Sequence, residues 1–301
     1  MRVNQNLVPD VLADLQQTQT ALNTALQEVS TGKSVNVPSD NPAASASMVQ
    51  NTIETKDVDQ YTQNVSSVLS TVQSADSALS SVVSSLTTAV TLGTEGANGT
   101  TNASDQQEVA TQVQGILTSV VSEANTSLQG SYLFGGTAST EVPYTADSTS
   151  ASGYTYNGNN GVNSVTVGDD LTVQSNIPGS QIFSNSSNDV LGSLSSLVTA
   201  LQGGNSADIE TATNAVNSAL SYVSQQRVIY ANAETQLNSQ ENYLQQETVS
   251  LTSQATSLVG IDTATAATDL AQAQTANSAA LAAAAKVLPT TLLDYLVPPQ
   301  S

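Results

Sequence analysis

The sequence predicts a mainly α protein: an elongated antiparallel helical bundle or coiled coil built from both chain ends, with a small antiparallel β insert in the middle. Three observations predict it. Val58, Val65, Val72, Leu79 and Leu86 recur every seventh residue, and Tyr61, Val68, Ala75, Val82 and Ala89 follow three residues later. Ile209, Val216, Val223, Tyr230, Leu237, Leu244, Leu251 and Leu258 keep the same interval near the carboxy terminus. Between these arms the heptad gives way to short alternating segments. A seam sustained over heptads argues for coiled-coil-like packing, and a period of two argues for strands.

The elements follow in order. From Leu7 to Val29, apolar Val8, Leu15, Leu22 and Val29 lie seven apart, with Val11, Leu12, Ala25 and Leu26 on the same face. That is an amphipathic helix with a narrow stripe. Ser30 to Ala43 is rich in Gly, Pro, Asn and Ser and reads as an extended connector. It ends in Ser39, Asp40 and Asn41, cap residues before Pro42, which suits the first turn of a helix. The heptad helix then runs to Gly93, and Gly93 to Gly99 reads as a turn. A third helix from about Ser104 has Val109, Val113, Ile116, Val120 and Ala124 on one face, with Gly130 as its end.

From Ser131 to about Asn185 the character changes. Tyr154 to Tyr156 and Val165 to Val167 alternate as strands do, and Asn157-Gly158 and Gly168 to Asp170 are turn signals. Leu171 to Val173 and Ile182-Phe183 complete the expected β unit, and both Phe residues, Phe134 and Phe183, belong to it. Helix returns near Val190. The seam from Ile209 to Leu258 has mixed companions, Ala219 and Ala233 but also Gln226, Gln240 and Glu247. It is one rod of about 75 Å with a thin stripe, not a strict two-stranded zipper. Gly260 interrupts it. An Ala-rich helix with Leu270, Leu281 and Leu288 follows, and Leu292, Leu293, Asp294, Tyr295 and Leu296 close the chain before Pro298 and Pro299. The layout is nested: residues 1–40 with 261–301, residues 41–130 with 186–260, and an insert at 131–185.

Composition restricts the function. The 301 residues include 5 Lys and Arg against 25 Asp and Glu, a net charge of −20, and no His, Cys or Trp. Charged residues are 10%, against about 25% in an ordinary domain. Without His or Cys there is no Ser-His-Asp or thiolate machinery and no zinc site. Five basic residues make no footprint for nucleic acid or an anionic membrane. Lack of Cys leaves the redox compartment open. The start, Met1 to Asp10, is not a secretory signal, and the longest apolar run, Ala279 to Ala285, is too short to span a bilayer. An acidic, polar chain raises the question of disorder, which the periodicity answers.

The sharper readings give way. Gly32-Lys33-Ser34 would need a glycine where Gln27 stands to be a phosphate loop. Asp169 with Asp170, or Asp40 with Asp10, lack the alternating ligands of a calcium loop. With Lys only at 33, 56 and 286, an activated Ser would need an unusual Lys partner. No catalytic, metal or cofactor residue is expected. The central seams read as intramolecular core. The terminal stripes are thin and Ala-rich. At about 25 cal/mol per Å² they bury too little to offset ordering entropy. Residues 1–38 and 262–301 are therefore expected to order on subunit packing, through Val8, Leu15, Leu22, Val29, Leu270, Leu281, Leu288, Leu292, Leu293, Tyr295 and Leu296.

These residues resemble the flagellin-type axial proteins of bacterial flagella over nearly the whole chain. Met1-Arg2-Val3 resembles that family's amino terminus. The connector residues Ser30 to Lys33 and Pro38 to Ala43 match its connector, with Gly32, Lys33, Pro38, Ser39, Asp40 and Pro42 as the motif. Arg227 and Ala231, with Leu237, resemble its carboxy-side rod. Gly130 to Gly136, Tyr156 to Gly161, Val165 to Val167, Gly179 to Phe183, and Ala285 to Val287 with Leu292 to Leu296 are similar to the hook-associated junction branch of the family rather than to filament flagellins. Ser34 stands where the family usually has Arg, Asn159 where it usually has Asp, and Pro289 departs from the usual run into the last motif.

The resemblance implies a non-enzymatic structural subunit at the hook–filament junction, secreted through type III export. Its implied partners are copies of itself in a helical array, a preceding hook-associated protein, flagellin, and an export chaperone before secretion; nucleic acid and membrane insertion are not implied. It implies an inner tube of terminal helices and an outward β insert. Filament flagellin is the first alternative, and a secreted coiled-coil adhesin is a more distant one. The charge of −20 is expected to keep the chain soluble before assembly.

Overall fold

A computed structural model of the chain describes residues 7–98 and 102–296, with side chains described for 9–98 and 102–286. Met1 to Val3, Gly99, Pro298 and Pro299 lie outside the described residues, as do the side chains of Val8, Leu288, Leu292, Leu293, Tyr295 and Leu296. The chain is mainly α, with small antiparallel two-stranded sheets in its middle. It forms two compact units, Met1–Asp57 with Glu247–Ser301, and Val58–Gln246.

In the first unit α1 (Leu7–Thr31) pairs with α7 (Thr263–Leu296). Gly32 ends α1 at φ +67, its N–H donating to the Glu28 carbonyl at 2.9 Å. This left-handed stop suits glycine. The connector then meets the break at Gly260. Lys33 and Gly260 form an antiparallel bridge, Ser34 N–H donates to the Val259 carbonyl at 2.8 Å, and Ile261 N–H donates to the Gly32 carbonyl at 3.2 Å. The two interruptions expected from the sequence therefore satisfy each other. Asp40 Oδ2 accepts from the Asn36 and Val37 N–H groups at 3.0 and 2.9 Å, which folds the connector into a turn. Asn41 Oδ1 accepts from Ala44 N–H at 3.0 Å and caps α2 (Pro42–Gly96), with Pro42 in its first turn. Further along, buried Asn51 donates from Nδ2 to the Leu251 carbonyl of α6 (Ser206–Val259) at 3.0 Å.

The second unit is built on the two seams. Val65, Val72, Leu79, Leu86, Ile209, Val216, Val223 and Leu237 are all fully buried. α3 (Ala103–Ala124) packs against α5 (Val190–Gly203). Asn102 caps α3, its Oδ1 accepting from Ser104 and Asp105 N–H at 2.9 and 3.0 Å. Three expectations are corrected here. α2 continues through Gly93 to Gly96, because Gly93 faces the Thr213 side chain and Gly96 faces Leu201 too closely for a Cβ. They are packing glycines within the helix rather than its stop. On α3, Leu117 rather than Ile116 joins the buried face. α3 ends at Ala124, and Gly130 instead serves the turn of the next hairpin.

The insert is four hairpins. β1 (Ser127–Leu128) pairs with β2 (Ser131–Tyr132), β3 (Tyr144–Ala146) with β4 (Tyr154–Tyr156), and β5 (Ser164–Gly168) with β6 (Leu171–Gln174). After the short α4 (Gly179–Ile182), β7 (Ser184–Asn185) pairs with β8 (Asn188–Asp189). The Gly168 to Asp170 turn forms as expected, since Gly168 faces Leu171. Asn157-Gly158 is not a hairpin turn, because β4 runs back along β3. Ile182-Phe183 is no strand: Ile182 ends α4 and Phe183 caps it. Phe183 is instead the hub of an aromatic core. Its ring lies edge-on to Phe134 and Tyr144, with centroids 5.3 and 5.9 Å away.

Helix side chains latch the insert. Asn64 Nδ2 donates to the Thr166 carbonyl at 2.7 Å and Gln240 Nε2 to the Val167 carbonyl at 2.9 Å. The buried Tyr230 hydroxyl accepts from Ile177 N–H at 3.1 Å, and the Tyr222 hydroxyl donates to the Gln181 carbonyl at 2.7 Å. Gln240 thus explains one polar companion in the α6 seam.

Candidate functional site

The terminal stripes divide between two surfaces. Leu15, Leu22 and Leu270 are half-buried, while Ala25, Ala266 and Ala284 are buried at 6%, 1% and 3% exposure. Thr18 Oγ1 reaches Asn277 Oδ1 at 3.4 Å across the α1–α7 pair. The pair thus closes on small residues. Large ones stay outside: Leu12, Leu26, Val29 and Leu281 are 52%, 45%, 43% and 49% exposed.

The connector residues Gly32, Lys33, Pro38, Ser39, Asp40 and Pro42 are all exposed. Beside them a groove of about 370 Å³ runs between the connector and the first turns of α2, lined by Val35, Val37, Pro38, Met48, Val49, Ile53 and Val259, with Lys56 as its charged wall. Val37, Val49 and Ile53 are 46%, 62% and 49% exposed. Val49 and Ile53 were not among the residues expected at a contact. They lie four apart on a helix, outside the heptad seam, and that offset was the available signal.

The carboxylates do structural work. Asp76 accepts from Arg227 Nε and Nη2 at 3.0 Å each, and this pair holds the guanidinium pKa above its usual range. Asp147 accepts from the Thr149 and Thr155 hydroxyls at 2.6 and 2.7 Å and from Thr149 N–H at 2.9 Å, which draws its pKa down to about 2. Burial is the main reason the Tyr144 and Tyr230 hydroxyls titrate well above the usual tyrosine range. Asp169 accepts from the Tyr61 hydroxyl at 3.2 Å. Asn159 Oδ1 accepts from Thr137 and Gly161 N–H at 2.8 and 2.9 Å, so an amide serves where the family usually has a carboxylate. Among the described residues no cluster of three acidic, His or Cys side chains could hold a metal, and no helix is long and apolar enough to cross a membrane.

The two ends of the chain thus supply paired helices and its middle supplies a hairpin insert. Residues 4–139 match the bacterial flagellin N-terminal helical region. The fold is similar to that of a protein assigned as flagellar hook-associated from Vibrio parahaemolyticus, at 22% identity and TM-score 0.66, covering 73% of this chain and 99% of that one. It is also similar to FlgL of Bacillus cereus, at 21% identity and TM-score 0.58, covering 71% of this chain and 100% of that one. The flagellar junction protein FlgL of Legionella pneumophila is similar at 13% identity and TM-score 0.60, again covering 71% and 100%. No curated protein sequence matches the chain.

Proposed function

We propose that the chain is a non-enzymatic structural subunit of the bacterial flagellum, acting as the adaptor between a hook-associated protein and the flagellin filament. The observation that carries this reading is the α1–α7 pair, closed on alanines while Leu12, Leu26, Val29 and Leu281 remain outside. Such a pair keeps its large side chains for neighbours. Copies of the chain pack head-to-tail through these faces, since a heterologous interface that does not close generates a helical array. The residues proposed to make the contacts are Leu15, Leu22, Val29, Leu270 and Leu281, with Val8, Leu288, Leu292, Leu293, Tyr295 and Leu296 beyond them. Residues 1–40 with 261–301 form the inner tube, 41–130 with 186–260 the rod, and 131–185 an outward insert. Export is by the flagellar type III route, with a chaperone holding the terminal segments. The location is extracellular, at the hook–filament junction.

Deletion of the gene tests this directly. Cells with hooks but no filaments, and flagellin lost to the medium, are the expected result. Normal filaments in the deletion strain would end the proposal. Filament flagellin is the second reading; it requires that the purified chain alone grow long filaments. Hydrogen exchange on the monomer tests the ordering of the ends. Fast exchange around Leu15 and Leu281 is expected, and strong protection there would mean that subunit packing is not what orders them.

A further inference from the structure

We infer that a cleft between α2 and the β1–β2 hairpin is a binding site for an uncharged, polyhydroxylated ligand, a pyranose sugar. The cleft has a volume of about 330 Å³ and lies within the second unit. It is independent of the function proposed above.

The lining is the first observation. None of the thirteen lining residues is charged, in a chain that carries 25 Asp and Glu. Seven of them present hydroxyl or amide groups with no partner within the chain among the described residues: Ser67, Ser70, Gln129, Ser131, Tyr132, Ser139 and Asn163. Each hydroxyl is donor and acceptor at once, as is each hydroxyl of a sugar. An ionic ligand would find no countercharge here. The Leu128 side chain and the half-buried Tyr132 ring add an apolar strip of the kind that receives a sugar's C–H face.

The cleft is also built on a firm floor. Asn176, 7% exposed, donates from Nδ2 to the Gly136 and Gly161 carbonyls at 3.1 and 3.3 Å, and its Oδ1 accepts from Asn163 N–H at 2.7 Å. The solvent-facing wall groups therefore stand beside a buried, hydrogen-bonded Asn176.

The second observation is Gln129. It adopts φ +53, the sole positive φ at a non-glycine among the described residues, and Gly130 follows at φ +84. Together they make the tight turn of the β1–β2 hairpin. That turn takes positive φ at both central positions and favours Asn, Asp or Gly at the first. A glutamine is the wrong residue for the turn but carries a long amide at the edge of the cleft. Strain held at a non-glycine points to use of its side chain.

The test uses the full chain and NMR. One arm titrates glucose, galactose and N-acetylglucosamine as free monosaccharides, and the other titrates oligosaccharides of the same units. Saturable, millimolar shifts at the Tyr132 ring and the Gln129 side-chain amide are expected. A preference for the second arm would assign the sugar to a polymer. Gln129→Gly relieves the turn, so it should keep or raise Tm while weakening binding at least tenfold. Ser131→Ala should weaken binding with no change in Tm. No saturable shift at Tyr132 in either arm, or binding that survives Gln129→Gly undiminished, overturns the inference.

Discussion

Two polar residues show how few charges this chain uses and where it uses them. Asp147 takes three hydrogen bonds from Thr149 and Thr155, and its folded pKa of about 2 lies below the ordinary 3.8. A depressed carboxylate pKa stabilises the fold above 3.8 and loses that contribution as pH falls from 3.8 toward 2. The carboxyl carbon of Asp147 is therefore expected to titrate near 2 by NMR, and in Thr155→Val its midpoint should rise. Arg227 presents the opposite sign. Its pKa is raised by Asp76, so its contribution is present through the neutral range, is lost as pH rises through the arginine range, and gives no pH dependence near neutrality. The pair is about one-third exposed on both sides, at 33% and 29%. Solvent screening holds the expected coupling to about 1 kcal/mol despite the two-pronged geometry. A double-mutant cycle of Asp76→Ala and Arg227→Ala in urea measures it; a coupling near zero would mean the pair only decorates the helices.

The helices depend on where their glycines sit. Gly93 faces the β-branched Thr213 side chain, which is 8% exposed and fixed by a 2.7 Å bond to the Ile209 carbonyl. Gly115 on α3 has nothing within 4 Å of a Cβ. A helix gains about 1 kcal/mol when glycine becomes alanine in open space, while overpacking a core costs about 1–3 kcal/mol. Gly115→Ala is therefore expected to raise Tm and Gly93→Ala to lower it, and thermal unfolding of the two variants checks the sign. The insert elements obey a different logic. Strands of two to five residues cannot stand alone. They hold through the Phe134–Phe183–Tyr144 core and through amides and hydroxyls sent from α2 and α6.

At the scale of the whole chain, the fold was legible wherever a period ran long. The seams from Val58 to Ala89 and from Ile209 to Leu258 are buried throughout, save half-buried Tyr61 and Leu258, where Val259 is the buried residue instead. The hairpin pairing was not legible, because segments as short as Tyr154 to Tyr156 carry no partner information and Asn157-Gly158 signals a turn without saying what it joins. The terminal helix pair was half legible. A stripe on a terminal helix shows an apolar face, but not that Ala25 and Ala284 would close the pair while Leu12 and Leu281 stayed outside. Val49 and Ile53 escaped notice because they stand off the seam. The charge of −20 acts on this surface from a distance. Salt that shortens the screening length is expected to promote self-association of the purified chain, as sedimentation velocity would register. Unchanged association in high salt would remove charge repulsion as the restraint on assembly.

The meeting of Lys33 and Gly260 has one more consequence. Both arms of the terminal unit are interrupted there, and the clasp between them is main chain, Ser34 N–H to Val259 and Ile261 N–H to Gly32, joined by the Ser34 hydroxyl on the Val259 and Gly260 carbonyls at 3.2 and 3.4 Å. It works like a buckle on two straps, fastening the chain just after α1 to the chain just before α7. The main-chain part of the clasp needs no particular side chain at position 34, and the serine there adds its own hydroxyl. Its weakness is the N–H itself. Ser34→Pro should unfasten the straps while Ser34→Ala leaves them joined, and amide exchange at Ile261 would tell the two apart.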